Sequence, residues 1–102
     1  MITLINVFTV APGNQQRLVE LLARATDEFV SGAPGFLSST LHRSLDGTKV
    51  TMYAQWASVE AYEAMRREPG PRPFLEEALK IAAFEPGMYE IVQSFTPRSQ
   101  ER

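Results

Sequence analysis

Five Pro- or Gly-bearing breaks cut this chain into short runs, and their placement constrains the fold more than any other feature: Ala11-Pro12-Gly13, Gly32-Ala33-Pro34-Gly35, Asp46-Gly47, Glu68 through Pro73, and Glu85-Pro86-Gly87. Every run between breaks except Thr48–Arg67, which Ser58 divides, is too short for more than one element, so the hydrophobic period within it identifies the element. Ile2 to Val10 is apolar and β-branched, the pattern of a largely buried strand. Asn14 can cap a following helix, in which Leu18, Leu22, Ala25 and Phe29 recur at helical spacing. Phe36–Leu45 and Thr48–Ala57 flank Asp46-Gly47, which suits a two-residue hairpin turn with both residues at positive φ. Ser58 caps a short helix carrying Tyr62 and Met65. After the Pro-rich break a second helical segment directs Phe74, Leu75, Ala78, Leu79 and Ala82 to a core, with Glu76 and Lys80 as an exposed pair, and ends at Glu85-Pro86-Gly87. Met88–Phe95 is the last strand. The order β-α-β-β-α-β is that of a ferredoxin-like α+β domain, a four-stranded antiparallel sheet with helices on one face. One domain over residues 1–95 is expected, followed by a flexible tail at 96–102.

Composition narrows the class. With 102 residues, 44% hydrophobic and 22% charged, the chain has the balance of one globular domain. A net charge of −2 without a basic patch argues against a nucleic-acid partner. The absence of cysteine removes disulfides, thiolate metal sites and a thiol nucleophile. No run reaches the roughly 20 apolar residues of a membrane span, and no basic leader precedes the first strand, so a cytoplasmic protein is expected.

A tight turn at Asp46-Gly47 fixes which residues share a face. Leu37-Trp56, Ser39-Ala54, Leu41-Met52 and Arg43-Val50 form the side under the helices. Ser38-Gln55, Thr40-Tyr53 and His42-Thr51 form the other, an amphipathic surface suited to a second copy of the same sheet, with plain solvation as the alternative.

Stock catalytic motifs are missing: there is no phosphate loop, nucleophile elbow or cluster at metal-ligand spacing, and no metal site is expected. His42, the single histidine, reads as a sheet or interface residue before it reads as a base. Trp56 and Tyr62 can overhang the space between sheet and helices. There they either clamp a flat aromatic ligand or simply fill the core. Asn6 interrupts an apolar strand and needs a partner, either backbone or ligand.

The stretches Pro34-Gly35-Phe36-Leu37-Ser38, Leu41-His42-Arg43-Ser44-Leu45-Asp46-Gly47 and Tyr53-Ala54-Gln55-Trp56, with Ser58, Glu60, Ala61 and Tyr62, resemble the antibiotic biosynthesis monooxygenase family. The likeness runs from about Leu18 to Leu79 and is closest to cofactor-free, quinone-forming enzymes of aromatic polyketide tailoring. It implies a homodimeric α/β-barrel joined through the sheet face, with no cofactor, and oxidation of a small planar phenol by O2. The substrate supplies the electrons. Trp56 and Tyr62 match the family's Trp and Tyr, and Asn6 resembles the Asn of haem-degrading relatives. The haem-binding histidine of those relatives has no counterpart in Phe74–Phe84. Catalysis is therefore expected at Trp56, Tyr62 and Asn6, with substrate contacts from Leu37, Met52, Met65, Arg72 and Phe74. The chain departs from the pattern at Met52, where relatives often carry Asn, and at Glu76, where the polyketide enzymes carry a functional Arg. Arg72 or Arg66 would then supply a cation. A non-catalytic aromatic-binding or stress-response dimer, and a cofactor-free isomerase or cyclase, are the alternative readings on the same fold.

Overall fold

The computed structural model describes residues 1–98. Strand β1 (Ile2–Val10) runs into a 3₁₀ turn at Pro12–Asn14 and helix α1 (Gln15–Glu28). Strands β2 (Phe36–Arg43) and β3 (Lys49–Trp56) form the hairpin; helices α2 (Val59–Arg66) and α3 (Arg72–Ile81) follow, then β4 (Ala82–Glu85) and β5 (Met88–Tyr89). The sheet is antiparallel in the order β2-β3-β1-β4, with β5 also on β1. Because β4 pairs with Val7–Val10 and β5 with Thr3–Leu4, the two are pieces of one fourth strand, interrupted at Pro86-Gly87. The Gly87 carbonyl accepts from the Ile5 N–H at 2.9 Å across that interruption. The architecture is the ferredoxin-like α+β arrangement.

The hairpin keeps the expected pairing from Ser38-Gln55 to Arg43-Val50, but its two ends differ. A bulge between Phe36 and Ser38 brings Phe36, not Leu37, opposite Trp56, and turns Leu37 outward, where it is 53% exposed. At the turn only Gly47 has positive φ (83°), and its N–H bonds the Ser44 carbonyl at 3.2 Å. The loop is longer than two residues because Asp46 acts through its side chain. Its carboxylate accepts from the Ser44 and Thr48 hydroxyls at 2.8 and 2.7 Å and from the Thr48 N–H at 3.0 Å.

Other boundaries move for local reasons. Asn14 starts α1 without a side-chain cap bond, the preceding Pro-led turn having set the chain's direction. Helix α3 stops at Ile81, because Ala82 and Phe84 alternate inward and Phe84 stacks on Phe8 at 4.6 Å, a strand contact that outweighs the helix propensity of Ala82-Ala83. Lys80 pairs with Glu77 at 2.7 Å instead of with Glu76, and Leu79 is 47% exposed. The expected strand at Met88–Phe95 is reduced to Met88–Tyr89. Residues 90–97 carry no regular secondary structure, and Ile91, Val92 and Phe95 among them are exposed. Of the tail expected at 96–102, residues 99–102 lie outside the described residues. No helix among the described residues is long and apolar enough to cross a membrane.

The even-numbered residues of β1 and β3 face the helices and build the core in two parts. Phe8, Val10, Leu18, Leu22, Val50 and Ala78 form one; Leu4, Ala54, Trp56 and Tyr62 form the other. Between them, in register, lie Asn6 and Met52. The apolar stripe is thus broken at one level on both central strands, and a cavity opens at that level.

Candidate ligand cavity

The cavity has a volume of about 250 Å³ and lies between the sheet and all three helices. Its floor is Leu4, Asn6, Phe8, Met52, Ala54 and Trp56, and its roof includes Leu22, Tyr62, Met65 and Leu75. Leaving such a volume unfilled forfeits burial worth on the order of several kcal/mol in a domain of marginal stability. A site for an apolar ligand accounts for that forfeit.

Trp56 is 1% exposed and Tyr62 is 6% exposed. Their rings meet edge to face, centroids 5.7 Å apart, and Phe36 packs edge-on against Trp56 at 5.4 Å. The geometry originates in the short connection between β3 and α2. Ser58 accepts from the Ala61 N–H at 3.1 Å and so fixes the start of α2 three residues after Trp56. Gly35 permits the helix to sit close: its φ is +87°, its carbonyl accepts from the Ala57 N–H at 2.7 Å, and a Cβ there would lie 2.5 Å from the Ala61 methyl. Tyr62 then falls one turn into α2 and beside the indole.

Two residues with polar groups line the cavity from opposite sides, Asn6 on the sheet and Tyr62 on α2. Asn6 Oδ1 is buried without a hydrogen-bond partner among the described residues. In an apolar setting that acceptor costs on the order of 1–3 kcal/mol until something donates to it. The Tyr62 hydroxyl accepts from Arg66 Nη1 at 3.2 Å. Among the described residues, Arg66 and Arg72 are the charged side chains in the lining, and no carboxylate lines it. Among the described residues, no three His, Asp or Glu side chains converge as a metal-binding group.

Of the residues expected from the sequence, the structure gathers Trp56, Tyr62, Asn6, Met52, Met65 and Arg72 around one cavity. Leu37 and Phe74 are not in it. The bulge turns Leu37 away, and Phe74 faces Phe29 (5.8 Å) with the Arg24 guanidinium over its ring (5.1 Å). Phe36 takes the place foreseen for Leu37, and Phe84 joins the wall because 82–85 is strand. His42 is exposed on the far face opposite Thr51. Glu76 is exposed on α3 and outside the lining.

An antiparallel sheet with helices on one face and an aromatic-and-amide cavity between them defines a small-molecule-binding domain of the ferredoxin-like class. The family model for antibiotic biosynthesis monooxygenase matches residues 1–77. The chain belongs to that family. It is 37% identical over 101 residues to the tetracenomycin-F1 monooxygenase of Streptomyces glaucescens, a match covering 99% of this chain and 90% of that protein. The crystal structure of the ActVA-Orf6 monooxygenase of Streptomyces coelicolor, with nanaomycin D bound, superposes with a TM-score of 0.83 at 30% identity, covering 94% of this chain and 91% of that one. SnoaB, a cofactor-independent oxygenase from Streptomyces nogalater, superposes with a TM-score of 0.79 at 26% identity, covering 94% and 97% of the two chains.

Proposed function

We propose that this protein is a cofactor-independent monooxygenase of a small planar phenol or polyketide-like ring system, working in the cytoplasm as a homodimer joined through the far face of the sheet. The observation that carries the reading is the cavity's content: an indole, a tyrosine and an asparagine with an unpaired amide oxygen, in mostly apolar walls with two arginines. A hydroxylated polycyclic ring presents a π-face for Trp56, an oxygen for the Tyr62 hydroxyl and an O–H for Asn6 Oδ1. Met52 and Met65 supply polarizable walls, and Arg72 stands at the cavity with its charge.

The chemistry balances without a bound redox group. The substrate loses a proton from its phenol or enol, and the resulting anion gives its electrons to O2. A carbon–oxygen bond forms, the O–O bond breaks, and water leaves with the second oxygen atom; an anthrone and O2 thus become an anthraquinone and water. The protein's part is to hold the ring, lower the cost of the anion and return a proton to the departing oxygen. Support for the reading comes from the 37% identical monooxygenase and from the cofactor-independent oxygenase of the same fold.

A second copy is the proposed cover for the amphipathic far face, where Thr40, His42 and Tyr53 stand exposed, and for the exposed Tyr89, Ile91, Val92 and Phe95 beyond β4. Lacking cysteine, the chain is indifferent to a reducing compartment.

Oxygen uptake with anthrone tests the function. The wild-type protein is expected to consume O2 and release anthraquinone, and the Trp56→Phe/Tyr62→Phe variant to consume it no faster than buffer. Equal uptake by the two proteins contradicts the catalytic assignment. Tight binding of the ring by the wild type without uptake would instead favour the binding-only reading, for which Met52 at the level of Asn6 is the supporting feature.

A further inference from the structure

Among the described residues, Arg66 is the charged lining residue that hydrogen-bonds a proposed catalytic group. It closes the last turn of α2, its Nη1 donates to Tyr62 Oη at 3.2 Å, and its guanidinium carbon lies 5.8 Å from the Tyr62 ring centroid. It is in none of the ion pairs among the described residues. Arg24, Asp27 and Glu28 on α1, Glu60, Glu63 and Arg67 on α2, and Glu76, Glu77 and Lys80 on α3 all lie outside the lining. The hydroxyl of a tyrosine has two lone pairs and one proton. With a lone pair held by Arg66, the O–H is turned away from the guanidinium, and the apolar cavity that Tyr62 lines is where a partner can sit. An oxygen that accepts from a cation is also a stronger donor through its own proton.

We infer that Arg66 is a positioning residue for Tyr62: it aims the Tyr62 hydroxyl into the cavity as a donor, so that the site takes its phenolic ligand as the phenolate. This rests on the proposed phenol-binding role of the cavity and adds the residue that aims the donor holding the anion. A hydrogen bond donated to the charged form favours that form. The same bond would hold the anion that surrenders electrons to O2, which gives the oxidation its reactive species.

Alizarin, a dihydroxyanthraquinone that changes colour on ionisation, is the probe, and quenching of Trp56, the only tryptophan, reports its binding independently of turnover. Bound to the wild type, alizarin is expected to ionise at a proton concentration about tenfold higher than in buffer. Arg66→Met should bind it but return its ionisation to the buffer value, and Arg66→Lys, which keeps a donor and the charge, should retain most of the wild-type effect. Tyr62→Phe should erase the effect as fully as Arg66→Met does, and the double variant should add nothing. An unchanged ionisation in Arg66→Met overturns the inference. So does an effect that survives in Tyr62→Phe, because the cation would then act on the ligand directly. The two readings fail separately: ionisation shifted in a wild type that takes up no O2 with anthrone removes the oxidation alone, and oxidation by a wild type that leaves alizarin unshifted removes the role of Arg66 alone.

Discussion

Asn6→Leu is expected to make the protein more stable and less active. The buried Oδ1 has no partner among the described residues, so an apolar side chain of similar size removes a desolvation cost of about 1–2 kcal/mol and raises Tm by roughly 5–10 °C. The same change removes the acceptor for a ligand O–H. Thermal unfolding and anthrone turnover, measured on one preparation, check both halves; a lower Tm would mean that the amide is already satisfied within the fold. Tyr62→Phe keeps the ring and its edge contact with Trp56, and removes the hydroxyl alone. It is expected to lower kcat about 10²-fold or more while KM changes little, the mark of a group used in the transition state. Asn6 was legible in the sequence because an amide in an apolar strand is an anomaly in itself. The role of Arg66 was not, since arginine at the end of a helix is ordinary and only its distance to the Tyr62 hydroxyl sets it apart.

The connection from β3 to α2 carries the site, and it rests on the fit of Gly35 against Ala61. Gly35→Ala places a methyl 2.5 Å from the Ala61 methyl at a φ of +87°, so it is expected to cost about 1–3 kcal/mol and to push α2, with Tyr62, off the sheet. Loss of quenching of Trp56 by alizarin in a variant that is still folded checks the second effect. The hairpin turn has a pH dependence of its own. Hydrogen bonds from the Thr48 and Ser44 hydroxyls, then the Thr48 N–H, hold the Asp46 carboxyl down to about 2 from 3.8. Folding therefore favours the ionised form: the turn has its full support above 3.8 and loses it as pH falls through about 2. Amide exchange at Thr48 should quicken over that interval in the wild type, and Asp46→Asn should abolish the dependence. These elements also mark the limits of sequence reading. Alternation in β2 and β3 is regular enough to give the pairing of Leu41 with Met52, but the bulge that exchanges Leu37 for Phe36 leaves no periodic trace. Ala82-Ala83 reads as helix until Phe84 is seen stacked on Phe8.

The chain by itself leaves large apolar side chains uncovered. Tyr53 and Tyr89 are 37% and 53% exposed, and Val92 and Phe95 are 91% and 82% exposed. The proposed dimer buries them, so light scattering at micromolar concentration should give the mass of two chains. Tyr53→Glu, which places a charge on the far face, should shift that mass toward one chain; a wild-type monomer would contradict the assembly. The fold order could be read from its Pro and Gly breaks, and the family from residues between Pro34 and Tyr62. Six of the cavity's lining residues could be named from the sequence: Trp56, Tyr62, Asn6, Met52, Met65 and Arg72. The cavity's existence depends on Asn6 and Met52 meeting in register, a relation between strands far apart in the chain.

The most direct measurement is the fate of isotopically labelled O2 supplied with anthrone. Wild-type protein, without added cofactor, is expected to place one labelled atom in the anthraquinone carbonyl and the other in water, and the Trp56→Phe/Tyr62→Phe variant to do so no faster than buffer. Label entering the product equally fast with both proteins, or a wild-type product of unchanged oxygen content, would contradict that expectation.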